Sequence, residues 1–172
     1  SEEMEHDACG VGVIASTEGK KSRAIVEYGI EALKAVWHRG AVDADGKTGD
    51  GAGIHVEIPK DFFIEKIEVT GHDYDNSEIC VGMIFLPKND YTSQESCKTI
   101  VESELTKNNF SIYGWRQVPV NPKVLGEKAL QTMPEIIQVL FKSNDANLLD
   151  KNLERKIYET RKKIEKKAFE LS

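Results

Sequence analysis

The residue with the strongest nucleophilic chemistry is Cys9, which begins the apolar run CGVGVIA at residues 9–15. A thiol with an ordinary pKa of about 8.5 is only a few per cent thiolate at neutral pH, so a reactive cysteine needs a nearby base. A cysteine followed by glycine at the head of a buried strand is most often a small core residue. The residues alone therefore leave two interpretations of Cys9 open, a nucleophile and a core side chain.

A second candidate for chemistry is Arg39, which follows His38 at the end of a predicted helix. Its planar guanidinium can bind a carboxylate through two parallel hydrogen bonds. The alternative is a surface arginine that complements the negative end of the helix dipole. Local sequence does not decide between a binding residue and a surface residue.

A third candidate is the glycine-rich segment TGDGAG at residues 48–53, because glycine-rich turns can direct backbone N–H groups at anions. It does not match the phosphate-loop motif, since Ala41 stands where the first glycine is required and a strand is predicted to follow. Nor does it match a calcium loop, which needs a glutamate where Ile54 stands. A purely structural loop therefore remains open as an interpretation.

Composition excludes several classes of protein. The chain has 172 residues, 40% of them hydrophobic and 30% charged, and a net charge of −6, which argues against a nucleic-acid partner. No apolar run reaches the roughly 18 to 20 residues of a membrane helix, so we expect a soluble protein of the cytoplasm or an organelle matrix such as the plastid. The three cysteines, Cys9, Cys80 and Cys97, include no Cys-x-x-Cys pair, so we predict neither a disulfide framework nor a metal site.

Apolar periodicity predicts a mixed order of helices and strands. The predicted strands cover residues 9–15, 53–58, 80–86, 111–120 and 135–141. The predicted helices cover residues 22–38, 61–68, 93–107 and 150 onward, with Ser22 and Ser93 as N-caps, Cys97 on an inner face, and a short helix with turns at 122–133. Residues 41–53, rich in glycine and aspartate, are predicted to form a loop.

Three long stretches resemble the large subunits of glutamate synthase, in the order that this family has them. They are CGVGVIA at 9–15, AVWHRGAVDADGKTGDGAGI at 35–54 and YGWRQVPVNPKVLGEKALQTMPEIIQV at 113–139. The resemblance implies a class II glutamine amidotransferase domain with the N-terminal-nucleophile hydrolase fold, an α+β four-layer αββα sandwich. We expect residues 1–8 to be a leader and residues 9–172 to be the N-terminal portion of that domain, with only part of the sandwich present.

The resemblance makes Cys9 the nucleophile and the first residue of the mature protein. A free α-amino group, with a pKa near 8, can then act as its base, whereas an amide nitrogen cannot. We therefore expect a precursor that is inactive until the bond between Ala8 and Cys9 is cut.

The resemblance also implies a pocket for L-glutamine. Arg39 would bind the α-carboxylate and so direct the side-chain amide toward the thiol, and the glycine-rich loop would form a wall. The predicted substrate-binding residues are Gly10, His38, Arg39, Gly49, Asp50 and Gly51.

In the whole enzyme, the family releases ammonia from glutamine through a thioester on the nucleophile. It then uses FMN and an iron–sulfur cluster to reduce the iminoglutarate formed from 2-oxoglutarate, with electrons from NAD(P)H or ferredoxin. No motif for these cofactors occurs in this chain, so we expect none here. The expected partners are the remainder of the large subunit and a small electron-donor subunit.

The chain departs from the family in one respect, because none of its asparagines is followed by glycine. Class II amidotransferases use an Asn-Gly pair in the oxyanion hole, and losing one such donor costs about 2.7 to 4 kcal/mol of barrier. We therefore expect the chain alone to be nearly inactive and to be marginally stable or self-associating. The alternatives are a non-catalytic amidotransferase-like binding or regulatory module and a redox sensor that pairs Cys9 with Cys80 or Cys97, which their predicted buried positions disfavour.

Overall fold

A computed structural model describes residues 10–36, 40, 42–49 and 51–171. These residues divide into two compact units. The first, which we call the loop unit, comprises the described residues of 1–57 together with 121–132. The second, the sheet unit, comprises residues 58–120 and the described residues of 133–172.

The sheet unit is built on three antiparallel strands, β1 (Cys80–Leu86), β2 (Phe110–Gln117) and β3 (Glu135–Ser143), in the order β1-β3-β2. The central strand β3 is buried continuously from residue 137 to residue 141, which explains its unbroken run of large side chains. Gln138 is the one polar residue in that run, and its side-chain oxygen accepts a hydrogen bond of 2.7 Å from Arg116. The buried amide is therefore satisfied.

Helices cover both faces of this sheet. On one face, α3 (Tyr91–Lys107) and α5 (Asp150–Phe169) pack on a cluster of buried residues, Cys80, Val101, Leu105, Phe110, Val139, Phe141 and Leu153. On the other face, α2 (Lys60–Val69) contributes Phe63 and Ile67 to a second buried cluster, which also contains Ile79, Tyr113 and Leu140. A strand covered on both faces has apolar residues at successive positions, which is the pattern of β3.

Strand β2 contains a bulge between Ile112 and Gly114, where its pairing register with β3 shifts. Gly114 has φ 153°, and a Cβ at this position would lie 2.7 Å from the Thr70 methyl carbon. The strand can pass this close to the end of α2 only because residue 114 is glycine.

The loop unit contains α1 (Arg23–Ala35), a 3₁₀ turn at Pro122–Val124 and α4 (Glu127–Gln131). Ser22 occupies the N-cap position of α1, as predicted, although its hydroxyl makes no capping hydrogen bond. The predicted N-cap of α3 is wrong, because Asp90 caps this helix and its carboxylate accepts the backbone N–H of Ser93 at 3.0 Å. The helix therefore begins at Tyr91.

Two predicted strands are wrong. Residues 10–15 and 53–58 form no strand, and Val11 and Val13 are 93% and 88% exposed. An alternating or apolar run becomes a strand only where a neighbouring strand can pair with it, and no such partner lies within the part of the chain that the structure describes.

The α+β class is confirmed, since helices and an antiparallel sheet occur together. The four-layer sandwich and the expected self-association stay predictions. Among the described residues, no helix combines the length and apolar character that crossing a membrane requires.

Candidate functional site

The predicted active-site residues divide into two groups. Cys9, His38, Arg39 and Asp50 lie outside the described residues, whereas Gly10, Gly49 and Gly51 lie within them. Among the described residues, a Cβ at Gly10 or Gly51 would meet no atom within 4 Å. The roles predicted for all seven residues stay predictions.

The loop at residues 42–49, which we call the aspartate loop, is described by the structure and overlaps the start of the glycine-rich segment predicted as a pocket wall. An antiparallel bridge joins Val42 to Gly49, and the Asp43 N–H donates to the Thr48 carbonyl oxygen at 2.6 Å. The turn between them is closed by the Gly46 N–H, which donates to the Asp43 carbonyl oxygen at 2.9 Å. Gly46 has φ 68°, in the left-handed region that glycine adopts without strain.

Asp45 stabilises this turn from within. Its Oδ1 accepts the backbone N–H groups of Lys47 at 2.9 Å and Thr48 at 2.7 Å, and its Oδ2 accepts the Thr48 hydroxyl. The Thr48 hydroxyl and these N–H groups hold the pKa of Asp45 well below its usual range. Asp45 is therefore an ionised structural residue whose oxygens are occupied, and it is a poor general base.

Asp43 connects the aspartate loop to α4. Its Oδ1 accepts the Ala44 N–H at 2.6 Å, and its Oδ2 accepts Lys128 Nζ at 2.6 Å. The hydrogen bond from Lys128 lowers the pKa of Asp43, and the same contact raises the pKa of Lys128. Both groups therefore carry full charge at neutral pH.

Gly126, immediately before α4, lies against the same loop. It is buried, and a Cβ at this position would lie 2.5 Å from the Thr48 backbone nitrogen. Its φ of −71° is open to any residue, so close packing rather than backbone conformation requires glycine here. The backbone N–H of the next residue, Glu127, makes a small further contribution to the lowered pKa of the Asp45 carboxyl.

No pattern in the sequence predicted the contacts of Gly126 and Lys128 with the loop. Both residues lie in the third stretch that resembles glutamate synthase, but no periodicity links position 128 to position 43. A contact across 85 residues depends on the tertiary fold.

In the sheet unit, Tyr113, Asp75 and Lys142 form one group of paired titratable side chains. The Tyr113 hydroxyl donates to Asp75 Oδ1 at 2.8 Å, Asp75 also pairs with Lys142, and burial raises the pKa of Tyr113 above its ordinary value. Burial also raises the pKa of Cys80 to about 12, which leaves this thiol protonated and a weak nucleophile. Cys97 is partly buried on α3. No group of three or more metal-binding side chains occurs among the residues described.

Comparison with known proteins identifies relatives over almost the whole chain. The family model "Glutamine amidotransferases class-II" matches residues 9–172. The chain is 54% identical over 164 residues to the glutamate synthase [NADPH] large chain of Azospirillum brasilense, covering 95% of this chain and 11% of that protein. It is 42% identical over 165 residues to the ferredoxin-dependent glutamate synthase of Pyropia yezoensis, covering 95% of this chain and 10% of that protein.

A third relative is ferredoxin-dependent glutamate synthase 1 of Arabidopsis thaliana, described as chloroplastic/mitochondrial, with 40% identity over 163 residues, 94% of this chain and 10% of that protein. The chain thus spans about a tenth of the length of these curated relatives.

Proposed function

The chain belongs to the class II glutamine amidotransferases, and we propose that it carries the nucleophile and part of the glutamine pocket of a glutamate synthase. The observation that carries this proposal is the family match, which begins at Cys9 and continues to the last residue. The identity of 54% to a glutamate synthase large chain supports the choice of this enzyme within the family.

The proposed reaction is hydrolysis of the glutamine side-chain amide. The Cys9 thiol gives its proton to its own α-amino group, and the thiolate attacks the amide carbon to form a tetrahedral intermediate. The C–N bond then breaks, the leaving nitrogen takes the proton, and ammonia departs from a glutamyl thioester. Water cleaves the thioester, which releases glutamate and restores the thiol.

This chemistry requires the bond between Ala8 and Cys9 to be cut, because only a free amine can accept the proton. Arg39 binds the α-carboxylate of glutamine, which selects an amino acid over a simple amide. Gly10, His38, Gly49, Asp50 and Gly51 complete the part of the pocket that this chain supplies. Asp45 is not proposed as a base, since its carboxylate oxygens accept hydrogen bonds within the aspartate loop.

The whole enzyme would use the ammonia in a reductive step at a separate site. FMN and an iron–sulfur cluster supply the electron transfer there, and we assign neither group to this chain. The proposed partners are the remainder of the large subunit and a small electron-donor subunit, in the cytoplasm or a plastid. The electron donors are those in the names of the relatives, NADPH and ferredoxin, and a plastid location is named for one of them, whereas the cofactors and the small subunit rest on the family resemblance.

A second candidate function is a binding or regulatory module that retains the amidotransferase scaffold without catalysis. The specific observation that favours it is the lack of an Asn-Gly pair in the sequence, since this pair supplies the oxyanion hole in the family. A module of this kind would bind glutamine without releasing ammonia.

Glutamate release from glutamine distinguishes the two functions. The assay uses a longer polypeptide that begins at Cys9 and continues through an Asn-Gly segment, together with its Cys9→Ser and Cys97→Ser variants. We expect hydrolysis in the parent and in Cys97→Ser, the matched control, and none in Cys9→Ser. Hydrolysis that survives Cys9→Ser would refute the proposed chemistry, and calorimetric binding of glutamine without hydrolysis would favour the binding module.

A further inference from the structure

We propose that Gly126 and Lys128 are positioning residues for the glutamine pocket, because they hold the aspartate loop closed between the two segments that carry the predicted substrate-binding residues. This inference rests on the proposed function and adds two residues to it. Neither residue is expected to touch glutamine. Both act through the backbone of residues 42–49.

In the sequence, the aspartate loop lies between the two segments that carry predicted substrate-binding residues. Arg39 precedes Val42 by three residues, and Asp50 follows Gly49 directly. The bridge between Val42 and Gly49 therefore joins the chain just after one binding segment to the chain just before the other. Opening of this bridge would separate Val42 from Gly49, and a displacement of 1 Å at a reacting centre can reduce the rate about a hundredfold.

Lys128 supplies the electrostatic part of the closure. Its side chain is 65% exposed and that of Asp43 is 34% exposed, so the ion pair is screened by salt and contributes modestly to stability. Loss of the ion pair is expected to disturb the whole turn, because the Asp43 backbone makes two hydrogen bonds that shape it. The Asp43 N–H donates to the Thr48 carbonyl oxygen, and the Asp43 carbonyl oxygen accepts the Gly46 N–H.

Gly126 supplies the steric part. The backbone at residue 126 approaches the Thr48 nitrogen so closely that even a methyl group would have to displace the loop. The Asp45 carboxylate faces the same point, since a Cβ at residue 126 would collide with its Oδ2, and it accepts hydrogen bonds from the Thr48 N–H and hydroxyl. Backbone cannot move aside as a flexible side chain can, so an added methyl group is expected to push residues 45–48 away.

The first half of the test measures the closure itself, by hydrogen exchange of the loop amides in the 172-residue chain. The amides to follow are those of Asp43, Gly46, Lys47 and Thr48, which are all bonded within the loop. Lys128→Met should speed their exchange about two- to fivefold, the range that an exposed ion pair supports. Gly126→Ala should speed it about tenfold or more, as overpacking does.

Two matched controls accompany these variants. Lys123 is an exposed lysine of the same unit with no ion pair among the described residues, so Lys123→Met should leave loop exchange unchanged. Gly29 lies in α1, and no described atom lies within 4 Å of an added Cβ there, so Gly29→Ala should also leave loop exchange unchanged. Equal exchange in all four variants would overturn the proposal.

The second half measures glutamine KM and kcat separately, in the longer polypeptide that hydrolyses glutamine. Lys128→Met should raise KM about threefold with a smaller change in kcat, whereas Lys128→Arg should restore the parent KM. Asp43→Asn combined with Lys128→Met should be no worse than the poorer single variant, because both changes remove one interaction.

The outcomes separate this inference from the function on which it rests. If the parent hydrolyses glutamine and Lys128→Met leaves KM unchanged although the loop amides exchange faster, the positioning role is wrong and the proposed function stands. If the parent does not hydrolyse glutamine, the proposed function fails and the positioning role fails with it. Faster exchange would then remain as a property of the fold alone.

Discussion

Replacement of Leu140 by alanine tests whether the sheet unit depends on the core that the structure gives it. Leu140 is fully buried on the central strand β3, in the cluster that also contains Phe63, Ile67 and Tyr113. Its strand neighbours are Val81 on β1 and Gly114 on β2. The side chain is therefore enclosed by α2 above and by paired strands at both sides.

The size of the expected effect follows from this enclosure. Leucine-to-alanine changes in cores cost about 2 to 5 kcal/mol, and the cost rises with the volume of the cavity that remains. Strand β3 is paired on both edges and helices cover both faces, so the site cannot collapse easily. We expect the upper half of the range, about 3.5 to 5 kcal/mol.

The assay is equilibrium unfolding of the whole chain in urea, followed by far-UV circular dichroism and by tryptophan fluorescence, to which Trp115 in β2 contributes. With a slope of about 1 to 3 kcal/mol per molar, the midpoint should fall by more than about 1 M. Val69→Ala is the control, because Val69 is 82% exposed in the same unit and its change should cost less than about 0.5 kcal/mol. A loss below about 1 kcal/mol for Leu140→Ala would refute the assignment of this core.

Three further predictions concern the same unit. Gly114→Val should lower the thermal midpoint measurably, since its side chain would collide with Thr70 at a φ of 153°; an unchanged midpoint would contradict the close approach. The lysine that pairs with Asp75 lowers the pKa of this carboxyl, so the pair's contribution to stability is present above the unfolded pKa of about 3.9 and is lost as pH falls below it. Asp75→Asn should therefore reduce the acid dependence of the unfolding free energy, and identical pH profiles would exclude this role. Iodoacetamide at pH 8 should alkylate Cys97 well before Cys80, whose pKa is raised to about 12, with peptide mass spectrometry as the readout; equal rates in the folded chain would contradict the burial of Cys80.

The sequence predicted the elements of the sheet unit because their patterns depend on local contacts and on strong burial. The run at Cys80–Leu86 and the run at Glu135–Ser143 are strands, as expected, and the periodic charges and apolar residues after residue 149 form α5. The start of α3 was misplaced because Asp90 and Ser93 both have capping side chains, and the periodicity does not choose between them.

The loop unit was harder to predict, and the reason is physical. A run such as that at residues 53–58 has a strand pattern, but a strand also needs a partner that the pattern does not reveal. The turn at residues 43–46 was predicted as a loop from its composition, whereas its closure by Gly126 and Lys128 depends on tertiary contacts. The assignment of Cys9 and Arg39 came from family resemblance, since neither residue is distinguished by spacing alone.

The central claim is that Cys9 is a nucleophile activated by its own amino group. The most direct test exposes the chain to a diazo-ketone analogue of glutamine, once with residues 1–8 attached and once trimmed to begin at Cys9, and locates the adducts by peptide mass. A longer polypeptide that includes an Asn-Gly segment is treated in the same two forms. We predict an adduct on Cys9 only in trimmed forms, strongest in the longer polypeptide and abolished by Arg39→Ala. Equal labelling with the leader attached would contradict activation by the amino group, and no labelling of the longer trimmed polypeptide would contradict the glutaminase assignment itself.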